Sequence, residues 1–377
     1  MATTKKLESI AALRLELGKA IGDTLWAYNG GTVISLGAGH AIPYTNISVN
    51  GKNDLFEDES IDAVAQKDVP VQTGIKAPLD SWEGNVRYVG MDRLLYWMFG
   101  YEDGGSSPQD LTGGIYSHLF ELDKYERHLT SYRTAEQTDP AYASTDRKNR
   151  FAMLGVKKGT NDYRFPYLLC GGFGFSSSAG NPLTWNAKGQ ALKEERADYS
   201  SASWTFPAGM VDSENIAMHH HLKLSLGPSG ALVDLAVTDF SASVEIPLFI
   251  DQDSESGLYI AQPVLNGKYA LTVSATLARH SVDTYKTYRD SFTACCMKAV
   301  YAKGDYEFGL YFPDMRIVDA PDTADAVARH PLTFTNSKQP AGGNPFTTEI
   351  GSHDLIQTGE MFCLVKNNNS VNEMRRE

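Results

Sequence analysis

The sequence predicts a mainly β protein with short helices, in which one order of elements occurs twice. Three observations carry this. Apolar and polar residues alternate along much of the chain. The clearest stretch, Asp239 to Ile250, sets Phe240, Ala242, Val244, Ile246, Leu248 and Ile250 on one face and Ser241, Ser243 and Glu245 on the other. The composition favours strands, with 19 Tyr and 16 Phe interspersed with Thr, Ser and Val. Helical spacing, by contrast, is confined to short segments.

The elements follow in order. Met1 to Asp23 reads as an amphipathic helix with Leu7, Ile10, Leu17 and Ile21 on its apolar side. Glu8, Arg14, Glu16 and Lys19 break the apolar run, which excludes a signal peptide. Thr32 to Leu36 reads as a strand ended by Gly37-Ala-Gly39, and Ile42 to Val49 as extended chain. Gly51 to Lys67 is polar and carries Asp54, Glu57, Asp58, Glu59 and Asp62. It suits a solvated loop long enough to reach a neighbouring molecule. Val69 to Thr73 and Trp82 to Tyr88 are the next strands, with Pro70 placing the first at an edge or a strand start. Met91, Leu94, Leu95 and Met98 have helical spacing, and Gly100 stops that helix after Phe99.

Ile115 to Leu122 and Leu129 to Thr134 are further strands. Tyr167 to Ala187 forms a hairpin about Gly180-Asn-Pro182, and Leu222 to Val237 another about Gly227 to Gly230. After the Phe240 strand come Tyr269 to Leu277 and an amphipathic helix with Val282, Tyr285 and Phe292 on its apolar side. Strands at Met297 to Tyr301 and Tyr306 to Phe312 then flank a Gly304-Asp305 turn, and Glu360 to Val365 is a last short strand. Val69 to Thr134 and Phe240 to Phe312 thus share the order strand, strand, helix, strand pair, which indicates an internal duplication. The expected organisation is an N-terminal helix and arm over 1–40, β domains over 41–205 and 206–330, and a C-terminal extension over 331–377.

The formal net charge is −12, which argues against a protein that clamps nucleic-acid phosphates. The four cysteines, Cys170, Cys295, Cys296 and Cys363, include no CxxC pair and read as buried free thiols of a protein made in a reducing cytoplasm. Cys295 and Cys296 should point to opposite faces of their strand. No run of residues is long enough to anchor the chain in a membrane.

On a strand, His219 and His221 of His219-His220-His221 would share a face and could both reach one zinc ion, but further ligands are not visible nearby. Gly171-Gly-Phe-Gly-Phe is glycine-rich, yet it lies on a hairpin and not at a strand-to-helix turn, so a phosphate loop is excluded. Asp251, Asp253 and Glu255 lack the spacing of an EF-hand loop. Tyr285 and Tyr288 have the helical spacing of packing residues. The expectation is no enzyme activity, no cofactor and no metal.

Four segments together resemble bacteriophage tail tube proteins, the larger tube proteins of long-tailed phages. They are the acidic Ile47 to Lys67 followed by Val69 to Ala77; Trp82 to Gly100; Tyr116-Ser-His-Leu-Phe120 leading to Leu129-Thr-Ser-Tyr-Arg-Thr134; and Val237 to Val318. The resemblance covers about Ile42 to Pro321 and rests on element order and turn placement. It implies a twisted β-sandwich or barrel with flanking helices. Such units join edge to edge in rings, and the rings stack into a hollow tube through which DNA passes without specific binding. Related tubes occur in contractile injection machines and type VI secretion.

On this basis the expected location is the virion tail, assembled in the host cytoplasm, with other tail proteins as partners. A duplicated fold favours rings of three chains with pseudo-sixfold symmetry, with hexameric rings of one elaborated fold as the alternative. The acidic Asp54 to Asp62 loop is the expected contact to the next ring. Two other classes compete: a β-sandwich module that binds carbohydrate, and a metal-dependent hydrolase centred on His219 and His221.

Overall fold

Long-range pairing overrides local propensity at the first element. The computed structural model describes residues 9–15, 36–56, 71–102, 109–111, 113–122, 152–197, 201–250, 264–265, 269–278, 283–321, 329–336, 344–351, 353 and 361–370. Within the expected N-terminal helix, Ser9–Leu15 is strand β1. It pairs along its whole length with β9 (Ala152–Lys158) and also with β2 (Ala41–Ile42). The successive residues Ala11, Ala12 and Leu13 are all buried. A helix would bury only one stripe of these residues. The strand buries both faces and completes a ladder, which outweighs helix propensities of a few tenths of a kcal/mol per residue, on the order of 0.5 at most here.

The chain continues through β3 (Asn46–Val49), β4 (Lys52–Phe56) and β5 (Val71–Asn85), then α1 (Asp92–Phe99). Short β6 (Gly100–Glu102) and β7 (Gln109–Asp110) precede β8 (Tyr116–Leu122), and β9 leads to β10 (Asn161–Ser178), β11 (Thr184–Ala191) and β12 (Glu195–Ala197). The two strands expected around Val69 and Trp82 are therefore one. It runs through Pro78, which lies opposite Gln190 beside a bulge at Ala187/Gly189. The expected strand over Leu129 to Thr134 lies outside the described residues, as does most of that over Thr32 to Leu36.

The second half contains β13 (Leu222–Gly227), β14 (Val233–Leu235), β15 (Val237–Glu245), β16 (Leu248–Phe249), β17 (Val264–Leu265) and β18 (Ala270–Ala278). It continues with α2 (Asp283–Asp290), β19 (Cys295–Lys303), β20 (Tyr306–Asp319), β21 (Arg329–Asn336), α3 (Thr347–Ile350) and β22 (Phe362–Asn367). The alternation expected for β15 holds from Phe240 through Ala242 and Val244 to Ile246, all buried, but β15 ends at Glu245, Leu248 belongs to the separate β16 and Ile250 is exposed; in β18 Leu271, Val273, Ala275 and Leu277 are buried as expected.

The two halves repeat ladder by ladder. β1 pairs with β2 and β9 as β13 pairs with β14 and β19. β3 and β11 flank β5 as β15 and β21 flank β18. The β9–β10 hairpin turns at Lys158-Gly159 and the β19–β20 hairpin at Lys303-Gly304, each glycine with positive φ. β10 then pairs with β11 and β12 as β20 pairs with β21 and β22. A two-stranded arm, β4 with the start of β5, stands between β3 and the rest of β5. β16–β17 stands likewise between β15 and β18. The duplication is thus wider than the two segments whose element order matched in the sequence.

Side by side the repeats form a sheet in the order β3-β5-β11-β10-β15-β18-β21-β20. The first halves of β10 and β20 belong to a second layer. Each long strand kinks on passing between layers, β10 at Pro166-Tyr167, where Tyr167 has φ 53, and β20 near Pro313, where the ladder to β19 slips. Side chains interlock between layers: Phe175 meets Phe308 at 5.5 Å and Phe240 meets Phe312 at 6.5 Å. All eight residues of α1 are buried, and Trp97 donates through Nε1 to the Leu168 carbonyl at 3.0 Å. α2 buries only Tyr285.

The network wraps a main core that runs from Ala11 to Val365, with smaller clusters beside it. The boundary expected at 205/206 separates no cores, because β10 pairs with β15 across it. The expected C-terminal extension supplies β22, an inner strand between β20 and β8.

Candidate assembly interface

The two repeats meet side by side through a strand pair. Gly172 to Ser178 of β10 pair antiparallel with Asp239 to Glu245 of β15. Phe173, Phe175, Ala242 and Val244 point into the core. The outward face carries small polar groups, including Ser176, Asn186, Ser241, Ser243, Thr272 and Ser274. The glycine-rich stretch noted in the sequence belongs here: a Cβ on Gly172, whose φ is +155°, would lie 2.9 Å from the Val244 carbonyl oxygen, and one on Gly174 3.2 Å from that of Ala242. These glycines allow two strands to meet closely.

The same edges recur at the two ends of the sheet, and there they have no partner among the described residues. Among the described residues β3 pairs only with β5, whereas its counterpart β15 pairs on both sides. The last residues of β20 pair only with β21, whereas the corresponding part of β10 pairs on both sides. No ladder among the described residues joins β3 to β20. An unpaired edge exposes a row of N–H and C=O groups that seek partners. Val318 on the β20 edge is 56 % exposed and Phe292 beside it 71 %. Phe292, expected on the apolar side of the helix, lies past its end with φ 52, its ring 5.4 Å from the Arg316 guanidinium.

Part of the expected acidic loop is not a loop. Lys52–Phe56 is β4, with Asp54 opposite Gly74 in the arm; Glu57, Asp58, Glu59 and Asp62 lie outside the described residues. The base of the arm is pinned. The Gly51 N–H donates to Glu194 Oε2 at 2.7 Å, and Lys158 Nζ donates to the Val49 carbonyl at 2.6 Å and to Asn50 Oδ1 at 3.0 Å. Burial lowers the Lys158 pKa, and Glu194 opposes that shift. A cleft of about 510 Å³ separates the bases of the two arms, lined by Pro78, Leu79, Gly189, Ile246, Leu248 and Ile250. Asp251, Asp253 and Glu255 are outside the described residues.

His219–His221 is a 3-10 turn and not a strand, so His219 and His221 do not share a face. His219 bonds Ser177 Oγ at 2.9 Å and the Val237 carbonyl at 3.1 Å. His221 Nδ1 accepts from the Tyr88 hydroxyl at 2.9 Å and from the Met218 N–H at 3.2 Å. Burial, then His220 and Lys303, lower its pKa. No group of three His, Cys, Asp or Glu suited to a metal occurs among the described residues.

A buried polar cluster escaped the sequence reading. His118 on β8 meets Glu102 Oε1 through Nδ1 at 2.8 Å and donates through Nε2 to the Asn369 carbonyl at 2.9 Å. Asp92, the first residue of α1, accepts from Asn367 at 2.8 Å and Asn369 at 3.2 Å. Burial opposes charge on His118, but Asp92, Glu102 and the Asn369 carbonyl outweigh it and raise its pKa to about 9. The cluster clamps α1 and β8 of the first repeat to the end of β22. Its signal in the sequence was slight: His118 stands in a strand whose other polar residues are Ser117 and Glu121.

All four cysteines are free and buried. Cys295 faces the main core and Cys296 the smaller cluster of Tyr311, Phe346 and Phe362, on opposite faces as their adjacency predicts. Tyr285 and Tyr288 pack edge to face at 6.2 Å. No described helix is long and apolar enough to cross a membrane. No protein-family model matches the chain, and no curated protein matches it.

Proposed function

We propose that this chain is a structural protein that assembles through its sheet edges into closed rings, three chains to a ring with pseudo-sixfold symmetry. The rings stack into a tube of the phage-tail type, in company with other tail proteins. One observation carries the reading: two equivalent units already stand side by side in one sheet, and among the described residues the sheet's first and last edges have no partner strand. A step that relates one unit to the next is a heterologous contact, and its repetition closes a ring when the rotation permits. Half of the contacts are then made within chains, which raises the effective concentration of the joined units.

The outward sheet face supports the passage of DNA without specific binding. Hydroxyls dominate it, and the Lys188 ammonium is engaged by Glu245. Glu83 and Asp239 add negative charge that repels phosphates. In stacking, the arms are placed to reach the next ring. Negative-stain electron microscopy of purified protein tests the proposal. Rings or tubes with three chains per turn are expected; protein that stays monomeric at every concentration overturns it.

A further inference from the structure

The repeat specifies which residues meet between chains. We infer that β3 of one copy pairs antiparallel with the end of β20 of a second copy, Ile317 opposite Val49, Asp319 opposite Ser48 and Ala320 opposite Ile47. This rests on the ring-forming reading and adds the register to it.

The register follows from tracing equivalent residues across the sheet. Phe173 pairs with Ala187, which pairs with Trp82, which pairs with Ile47. In the second repeat Ile317 pairs with Phe334, which pairs with Val273, which pairs with Ala242. Ile317 is therefore the counterpart of Phe173, and Ile47, Ser48 and Val49 are those of Ala242, Ser243 and Val244. At the internal junction Phe173 lies opposite Val244, Gly174 opposite Ser243 and Phe175 opposite Ala242. The bulge between Ile317 and Asp319 skips Val318, so Asp319 takes the place of Gly174 and Ala320 that of Phe175.

Burial agrees independently. Ile317 and Ala320 point into the core as Phe173 and Phe175 do, and Val49 is buried while Ile47 packs against the same core. A register slip of one residue would send each of these to the wrong face. The skipped Val318 lies on this edge and is exposed in the single chain, as is Phe292, whose ring packs on Arg316 of the same strand.

Cysteine cross-linking reads the register. A Ser48→Cys/Asp319→Cys double variant changes one half-buried and one exposed residue, so folding is preserved; urea unfolding confirms this. The native cysteines are all buried and contribute no background. Mild oxidation is expected to give covalent dimers and trimers on non-reducing gels. An Asn46→Cys/Asp319→Cys variant, out of register by two residues, should cross-link at least about tenfold less.

Separately, Val318→Lys with Phe292→Ala should reduce ring yield at least about tenfold, about one 1.4 kcal/mol step in affinity. Rings that form without the Ser48–Asp319 disulfide, or with equal cross-linking of the control, overturn the register and leave ring formation standing. Absence of both rings and cross-links overturns both.

Discussion

His118 offers a quantitative test of how the two repeats are held together. Its side chain is fully buried, and its ring nitrogens reach Glu102 and the Asn369 carbonyl. Its pKa rises from 6.5 to about 9 in the folded chain. The folded state therefore keeps a proton that the unfolded chain releases above pH 6.5. The stabilisation is complete below that pH and is lost as pH rises through 9. At 1.36 kcal/mol per pKa unit this amounts to on the order of 3 kcal/mol.

Replacement by glutamine removes the cation that faces the buried Asp92 and Glu102 carboxylates, for a loss of roughly 3–5 kcal/mol at pH 6 that shrinks toward pH 9. Urea unfolding of unassembled subunits, followed by tryptophan fluorescence at pH 6, 7.5 and 9, measures both effects. Buried Trp82, Trp97 and Trp185 report the core. If His118→Gln leaves the pH dependence between 6.5 and 9 as in the wild type, the ion pair is not the source of the coupling and the reasoning fails.

Two further outcomes are expected. Deleting residues 57–70 and joining Phe56 to Val71 through a short turn should leave folded protein that forms rings but not long tubes by electron microscopy, because the ladder below the tip remains; normal tubes would reduce the arm to a solvated connection. Gly172→Val should destabilise the chain by about 1–3 kcal/mol, since its Cβ would press on the Val244 carbonyl across the repeat junction; an unchanged urea midpoint would show that the junction yields more readily than its geometry implies.

Much of the fold was legible because strand and helix periods are local properties. The alternation at Phe240 to Ile246, the Gly304 turn and the Met91 to Phe99 helix with its Gly100 stop all appear where the residue spacing puts them. Even the contrast between the helices can be read: α1 carries Leu94, Leu95, Trp97 and Phe99, whereas α2 carries Lys286, Arg289 and Asp290. Partner choice is not local. Ser9–Leu15 becomes a strand because its partner Ala152–Lys158 lies far along the chain. The glycines of Gly171-Gly-Phe-Gly acquire meaning only when β15 arrives beside them. Likewise, nothing within five residues of His118 announces that Asp92 and Asn369 will converge on it. The amino-acid pattern determined the strands, the turns and the hint of duplication. The tertiary pairing decided which edges meet, because a strand's second hydrogen-bonding edge is satisfied only by whatever segment the rest of the chain brings to it.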